Sequence, residues 1–344
     1  MLWVGGLFDA EDNWGAWNSY LSAETYNPGK DFNKLVIGPW YHGEWATADG
    51  TRMGNIQFGS NTADWYQQNI EIPFFNYYLK NEGNIDSLPE INIFFTGTNE
   101  WRSFSQWPPA GSGQKYLYLT DSGQLTWDRP VSKKSFSEYI SDPWKPVPYI
   151  DKIHFNRTQD YLGYDQRFAE RRPDVLSFKT GELSDDISIA GDVMADLMVS
   201  LSTTDADFIV KLIDVFPDRL TGEEQGLYAG KNRTNPYLMG GYEMPVRIEI
   251  MRGRFRKSPE KPEPFVPGKM DEVKFSLGHA AHTFKKGHRI MVQIQSTWFP
   301  LVDINPQKFV DIYRCSDKDF QKSEIRIFHE REASSHVTLP VLNK

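Results

Sequence analysis

The chain has 344 residues, of which 39% are hydrophobic and 24% charged, and this predicts a globular protein of more than one domain. Its net charge of −8 argues against nucleic acid as a partner, because an acidic surface repels phosphate backbones. No apolar run approaches the length of a membrane span, so we expect no membrane partner. The single cysteine, Cys315, cannot form an intramolecular disulfide and says nothing about the compartment.

The first part of the chain alternates predicted strands and helices. We predict strands at 2–6 and 34–38, helices at about 13–23 and 63–80, and a turn at 27–30. Strand–helix–strand–helix order is typical of a parallel sheet. The first strand begins almost at Met1 and lacks the basic region and cleavage site of a signal peptide. Since a chain rarely starts inside a core strand, we expect further protein upstream of Met1.

After residue 88 the pattern changes to short strands with alternating polarity and frequent turns. Long helical runs are absent, which favours a β-sandwich or jelly roll. We therefore predict two domains, residues 1–88 and residues 89–344. The strands predicted in the second domain are 91–95, 115–119, 195–202, 208–216, 289–295 and 335–340.

Two loops of the first domain each carry a residue suited to acyl-transfer chemistry. Asp9 follows the first strand, and His42 follows the second. In open α/β sheets, sites form outside the carboxyl ends of the strands. A carboxylate there can hold an imidazole in one tautomer, as a Ser-His-Asp triad requires. In α/β-hydrolases the nucleophile precedes both, but the elbow motif G-x-S-x-G does not occur in this chain.

Each residue also has an ordinary structural interpretation. An Asp after a strand is usually a turn former or a helix cap, and a lone histidine in a loop is usually structural. Asp9 and His42 carry more weight together, because they follow consecutive strands in the order that the triad needs.

The residues around these two positions resemble a known family. The stretches GLFDAEDNWGA from Gly6 to Ala16 and LVIGPWYH from Leu35 to His42 resemble the α-amino acid ester hydrolases. These enzymes belong to the CocE/NonD-type α/β-hydrolase superfamily, with cocaine esterase, glutaryl-7-ACA acylase-like proteins and Xaa-Pro dipeptidyl-peptidases. The resemblance implies that Asp9 is the triad acid and His42 the base, and that the nucleophilic serine lies upstream.

The resemblance continues through the second domain. The stretches that carry it are 96–102, 240–247, 287–290 and 296–301, so it covers nearly the whole chain. It implies the C-terminal βαβα piece of an α/β-hydrolase domain, followed by an all-β jelly-roll sandwich of the galactose-binding-like type. No cofactor is implied.

Glu11 and Asp12 bear on the substrate. In the family that the chain resembles, carboxylates two and three positions after the triad acid help to bind the α-ammonium group of the substrate. A cluster of anions in a partly desolvated pocket binds a cation and disfavours neutral or anionic acyl groups. The alternative is that Asp12 is the N-cap of the first helix and Glu11 favours its first turn.

Three histidines of the second domain, His279, His282 and His288, have a spacing that could suggest metal ligands. No cysteine or acidic partner completes a zinc pattern around them, so we interpret them as core or loop residues of the β-domain.

The predicted function is therefore that of the C-terminal part of a serine acyl hydrolase. Its substrate would be a small α-amino acid ester or amide, or a short peptide, and its partner the missing N-terminal hydrolase segment. Alone, the chain is expected to be inactive. An Xaa-Pro dipeptidyl-peptidase and a non-catalytic carbohydrate-binding β-module stay open as alternatives, as does a homo-oligomer. Because related enzymes are often exported, the resemblance favours a periplasmic or secreted protein.

Overall fold

A computed structural model describes residues 1–27, 33–154, 156–229 and 236–343. Strand β1 (Leu2–Gly6) pairs in parallel with β2 (Lys34–Gly38), and helix α1 (Asn13–Tyr26) connects them. The residues of β2 are all buried, as expected for an apolar strand inside a parallel sheet. The turn predicted at 27–30 falls largely outside the described residues.

The second predicted helix is present and is preceded by a short helix, α2 (Glu44–Thr47), and by a two-stranded ribbon, β3 (Arg52–Met53) and β4 (Ile56–Gln57). The predicted helix alternates α and π turns, and Pro73, which has no N–H to donate, lies within it. Its segments are Thr62–Tyr66, Gln67–Glu71, Ile72–Phe75 and Asn76–Lys80.

One strand that we expected in the β-domain, 91–95, belongs to the first sheet instead, and it pairs there with a strand that we did not predict. Strand β5 (Ile91–Phe95) pairs in parallel with β2, and β6 (Glu100–Phe104) pairs antiparallel with β5, so the sheet order is β1-β2-β5-β6. All five residues of β5 are buried, because the strand is covered on both faces and shows no alternation. This sheet crosses the boundary predicted after residue 88, and the division into two domains stays a prediction.

The rest of the chain is dominated by strands. They are β7 (Ser112–Leu119), β8 (Leu125–Thr126), β9 (Phe136–Ser141), β10 (Leu176–Lys179), β11 (Ile187–Leu201), β12 (Asp207–Val215), β13 (Glu243–Arg252), β14 (Asp271–Phe284), β15 (Arg289–Gln295), β16 (Ser323–Phe328) and β17 (His336–Leu342). Short helical turns lie between them, at Tyr161–Gly163, Arg167–Glu170, Gly222–Tyr228, Pro236–Met239, Gly253–Phe255, Ile312–Arg314 and Asp317–Asp319, and one more, Ile85–Ser87, lies before β5.

These strands form two sheets. One has the order β10-β15-β12-β13, and the other has the order β8-β7-β17-β11-β16-β9, with β14 also paired to β11. Side chains of both sheets share one apolar core, which includes Leu197 of β11, Leu212 of β12 and Val292 of β15. The arrangement is thus two packed β-sheets, and the more detailed jelly-roll assignment stays a prediction.

A second core joins the first sheet to the part of the chain that carries β7 to β17, residues 112–342, which we call the β-region. It brings Trp17 of α1 and Ile37 of β2 together with Met244 of β13 and Ala281 of β14. At this junction Thr96 N–H donates to Ala281 O at 3.3 Å, and Thr283 N–H donates to Thr96 O at 2.9 Å. The β-region is therefore packed directly behind the sheet that carries Asp9 and His42.

Candidate active site

The loops after β1 and β2 are bound to each other by their backbones. Leu7 N–H donates to Gly38 O at 2.8 Å, and Phe8 N–H donates to Trp40 O at 3.1 Å. A Cβ atom on Gly6 would lie 2.1 Å from Trp40 O, so only glycine allows this approach. The parallel pairing and these two bonds bring the loops that follow both strands to one edge of the sheet.

The structure brings Asp9 and His42 together. Asp9 Oδ2 lies 3.0 Å from His42 Nδ1, so Nδ1–H donates to the carboxylate. The other oxygen, Oδ1, accepts the backbone N–H groups of Glu11 at 2.8 Å and of Asp12 at 2.9 Å. The Asp9 side chain is only 2% exposed. Both carboxylate oxygens are thus engaged, which fixes the orientation of the group that holds the imidazole.

His42 combines this fixed partner with access to solvent. Its side chain is 52% exposed, whereas Asp9 is buried. The hydrogen bond to Asp9 and the charge of that carboxylate raise the pKa of His42, and the charges of Glu11 and Asp12 add to the effect. With Nδ1 committed to Asp9, Nε2 is the atom that can exchange a proton with a reacting group.

The turn that carries His42 is closed by Glu44, which sequence reasoning did not single out. Glu44 Oε2 accepts the N–H of Tyr41 at 3.0 Å, and Glu44 N–H donates back to Tyr41 O at 3.1 Å. Gly43 lies between them with φ = 73°, which favours glycine. Burial raises the pKa of Glu44 to about 7, although the N–H of Tyr41 opposes this shift. The sequence signal was an acid directly after a His-Gly turn.

The two predicted substrate-binding acids are Glu11 and Asp12, and the structure places the Glu11 carboxylate close to the His42 imidazole. Glu11 Oε2 lies 3.9 Å from His42 Nε2, and the other Glu11 oxygen is bound by Arg157, a residue that sequence reasoning missed. Asp12 is exposed. It occupies the N-cap position of α1, but its side chain makes no capping hydrogen bond. The predicted capping role of the Asp12 side chain is therefore wrong. The Asp9 carboxylate binds the N–H groups of Glu11 and Asp12, just before the helix begins.

The β-region lines a cavity next to this loop. About 210 Å³ in volume, it is bounded by Asp9 and Glu11 on one side and by Tyr161, Glu249 and Trp298 on the other. Tyr161 and Trp298 contact each other edge to face, with ring centroids 5.6 Å apart. Within the part of the chain that the structure describes, the buried Trp298 indole N–H has no hydrogen-bond partner. The β-region thus lines one side of the cavity beside the Asp9 loop.

Two histidines of the β-region, His282 and His288, form a separate, buried network. His282 Nε2–H donates to Asp214 Oδ2 at 3.2 Å, and His288 Nδ1–H donates to Asp214 Oδ1 at 2.8 Å. His288 Nε2 reaches Glu224 Oε1 at 3.1 Å. We did not foresee these acidic partners, because Asp214 and Glu224 are distant from the histidines in sequence. Within the described ranges, no group of three or more metal-ligating side chains could hold a metal ion.

His279 lies apart from this network, against aromatic side chains. The Trp107 indole N–H donates to its Nδ1 at 3.2 Å, and its ring packs on Trp17 with centroids 5.0 Å apart. Burial lowers the pKa of His279 to about 4, so the ring is neutral. It is a core residue at the junction of the two regions.

Residues 83–337 match the family model described as the X-Pro dipeptidyl-peptidase C-terminal non-catalytic domain. The chain belongs to this family. Asp9 and His42 precede the matched segment, in the part of the chain that is packed against it.

Relatives at the level of the whole chain are hydrolases. Cocaine esterase of Rhodococcus sp. (strain MB1 Bresler) is 30% identical over 322 residues, which are 90% of this chain and 52% of that protein. Crystallised α-amino acid ester hydrolase labelled with selenomethionine has a TM-score of 0.91 and 38% identity, over 99% of this chain and 55% of its own. An aminopeptidase from a marine sediment Thaumarchaeota archaeon has a TM-score of 0.92 and 36% identity, over 100% and 55%.

These matches confirm the resemblance to the C-terminal part of CocE/NonD-type hydrolases. The chain spans about half the length of the curated relatives it matches. Among the helices in the described part of the chain, none is long and apolar enough to cross a membrane.

Proposed function

We propose that this chain supplies the acid and the base of a serine hydrolase, Asp9 and His42, to a nucleophilic serine that lies upstream of the chain. The observation that carries the proposal is the 3.0 Å bond between buried Asp9 Oδ2 and His42 Nδ1, with the rest of the imidazole open to solvent. Serine hydrolases require this combination, because the acid must orient the base while the base meets the nucleophile and the substrate.

In the proposed reaction His42 Nε2 accepts the hydroxyl proton as the serine oxygen attacks the carbonyl carbon of an ester or amide. The imidazolium that forms is stabilised by the Asp9 carboxylate. It then gives the proton to the leaving alcohol or amine, which departs and leaves an acyl-serine. Water attacks the acyl-serine in the second half-reaction, with Nε2 again accepting a proton and returning it to the serine oxygen.

We further propose that the substrate carries a free α-amino group, as the names of two structural relatives suggest for those proteins. Glu11 and Asp12 are exposed carboxylates whose charges act on His42, and Glu11 Oε2 lies 3.9 Å from His42 Nε2. An ammonium group beside the reacting carbonyl would meet this negative charge. Arg157 already binds Glu11, so a substrate ammonium would share or displace that partner.

The test compares kcat/KM for an α-amino ester with that for its des-amino analogue, in the complete hydrolase that contains this chain. Glu11→Gln and Asp12→Asn should reduce the preference for the amino ester, by on the order of a hundredfold for the residue that binds the ammonium group. Both substitutions keep the side-chain shape and remove only charge. If the folded variants retain the wild-type preference, Glu11 and Asp12 do not bind the substrate and are only residues at the start of helix α1.

A second candidate is an Xaa-Pro dipeptidyl-peptidase, which the family description favours. Such an enzyme also needs a site for an N-terminal ammonium group, so the acids do not separate the two. Parallel assays of an α-amino ester and an Xaa-Pro dipeptide amide would do so. For either activity, we expect the 344-residue chain by itself to show no turnover, because the nucleophile lies outside it.

A further inference from the structure

Arg247 of β13 ends one of the stretches that resemble the hydrolase family, and no role in the proposed reaction has been assigned to it. Its guanidinium group is buried and binds three neutral acceptors. Nε donates to Leu277 O at 3.0 Å, Nη1 to Leu7 O at 3.3 Å and Nη2 to the Asn13 side-chain oxygen at 2.7 Å. One acceptor lies in the β-region, and two lie on the N-terminal loop that contains Asp9.

Asn13 completes this arrangement from the other side. Its side-chain amide donates to Gly6 O at 3.2 Å and to Leu7 O at 3.0 Å. The backbone just before Asp9 is therefore tied to the residue that begins α1, and Arg247 binds both. The loop between these points is the one whose N–H groups hold Asp9 Oδ1.

The β-region is shaped to admit this guanidinium. A Cβ atom on Gly278 would lie 2.4 Å from Arg247 Nη2, and Gly278 has φ = 89°, a conformation that favours glycine. The register of β11 and β14 shifts between Val193 and Met194, next to Gly278. A β-bulge changes the direction of a strand, and a glycine beside it allows another group to come close to the backbone.

Burying Arg247 opposes its charged form. Burial lowers its pKa to about 10, against the attraction of Glu249 and Asp192. Burying a charge among neutral acceptors costs free energy, so the charge by itself does not explain this residue. Its directional bonds offer another explanation, because the planar guanidinium reaches three fixed acceptors at once.

We propose that Arg247 is a positioning residue that holds the loop from Leu7 to Asn13 in the shape that keeps Asp9 hydrogen-bonded to His42. The β-region would then set the geometry of the Asp9–His42 pair, in addition to lining the cavity beside it. The catalytic consequence rests on the proposed function, whereas the geometric claim concerns only residues of this chain and can be tested without turnover.

The test measures the pKa of His42 in the 344-residue chain by NMR of labelled histidine, with the His42 signal assigned through His42→Ala. Arg247→Lys keeps the charge but loses the planar array of donors, and Arg247→Met loses both. We expect the His42 pKa to fall by about half a unit or more toward the ordinary value near 6.5 in both variants, because its bond to Asp9 loosens. Loss of a nearby positive charge alone would instead raise this pKa, and only in the Met variant.

Arg256→Met is the matched control. Arg256 is buried in the same β-region, where it pairs with Asp271 at 2.8 Å and packs on the Phe265 ring. Its loss should lower stability and leave the His42 pKa unchanged. Folded Arg247 variants with a wild-type or raised His42 pKa would overturn the proposal.

If Arg247→Met fails to fold, Arg247→Lys and Asn13→Ala decide the question, since Asn13→Ala removes the other half of the arrangement without changing charge. In the complete hydrolase, the same variants should lower kcat more than they change KM. Absence of hydrolysis that depends on His42 would refute the proposed function and leave the NMR result standing, so the two failures are distinguishable.

Discussion

Among the residues that the structure describes, there are two places where an aspartate binds histidine, and they differ mainly in access to solvent. Asp9 is buried and binds His42, whose side chain is half exposed at the end of a parallel strand. Asp214 binds His282 and His288, and all three side chains are at most 1% exposed. The bonds are of similar length, 3.0 Å in the first case and 3.2 and 2.8 Å in the second.

The difference shows what an acid–base site needs beyond an Asp–His bond. In the buried network every donor of His288 is taken, one by Asp214 and the other by Glu224, so the imidazolium is locked between two carboxylates. Burial alone would lower the pKa of His288, but the charge and hydrogen bond of Asp214, with those of Glu224, raise it to about 10. Such a group is a poor base near neutral pH. At His42 one nitrogen is held and the other is accessible, which is the arrangement of a general base.

Replacing the aspartate by asparagine should lower kcat far more at the exposed Asp9–His42 pair than in the buried Asp214 network. In the complete hydrolase, Asp9→Asn should lower kcat by about 10⁴-fold. The N–H groups of Glu11 and Asp12 should hold the amide oxygen in the place of Oδ1, so the amide NH2 would face His42 Nδ1 and could neither accept Nδ1–H nor stabilise the imidazolium. Asp214→Asn is the matched control, and the fraction of it that folds should keep the wild-type kcat. Steady-state kinetics corrected for folded protein would check both, and equal losses of kcat would remove the functional distinction between the pairs.

The same two substitutions should have the opposite order of effect on stability. Asp214→Asn leaves a buried imidazolium with one carboxylate fewer, and breaking a buried ion pair typically costs about 3–5 kcal/mol. Asp9→Asn should cost less, because water can reach the exposed imidazole. Urea unfolding of the 344-residue chain measures both free energies. Adding His288→Gln to Asp214→Asn should recover part of the loss, and no recovery would mean that His288 carries no charge in the folded protein.

The exposed pair could be predicted from the sequence, whereas the buried network could not. Asp9 and His42 each come shortly after an apolar strand. Because sites in open α/β sheets form outside the carboxyl ends of the strands, two short stretches of sequence are enough to predict this pair. Asp214, Glu224 and His288 lie on β12, on the helix Gly222–Tyr228 and just before β15. Nothing in the spacing of these residues shows that the fold brings them together. Arg157 and Arg247 were missed for the same reason.

Two details of the strand prediction were wrong, the sheet to which 91–95 belongs and the start of β11, and in both the local pattern is ambiguous. Ile91–Phe95 is apolar throughout, and such a run does not say whether its neighbours are parallel strands of one sheet or strands of a sandwich. The prediction for β11 began at residue 195, whereas the strand begins at Ile187. The missed part contains Gly191, and the strand passes through a bulge between Val193 and Met194 just before the predicted start.

The buried network should also appear in the pH dependence of stability. The pKa of His288 is raised from 6.5 to about 10 on folding, so its contribution is fully present below about pH 6.5 and is lost as pH rises through about 10. Lys211 acts in the opposite sense, because burial lowers its pKa to about 7. The measurement is therefore the difference in unfolding free energy between wild type and His288→Gln from pH 6.5 to 10. It should shrink with pH by at most about 1.4 kcal/mol per unit, and a constant difference would contradict the prediction.

Glu44, which closes the turn of the exposed pair, should give the smallest effect. The pKa of its carboxyl is raised from 4.5 to about 7 by burial, so the unfolded chain releases this proton at lower pH than the folded one. Wild-type stability is thereby reduced as pH rises from about 4.5 to 7. Glu44→Gln keeps an oxygen to accept the Tyr41 N–H but has no proton to lose. Its stability relative to wild type should rise across this window, by at most about 1.4 kcal/mol per pH unit, and then level off.

Asp49, whose charge contributes to the raised pKa of Glu44, supplies the control. When Glu44→Gln is compared with its parent in an Asp49→Asn background, the rise should end at lower pH. A difference between Glu44→Gln and wild type that does not vary with pH would contradict the prediction, because it would mean that the pKa of Glu44 is the same in the folded and unfolded states.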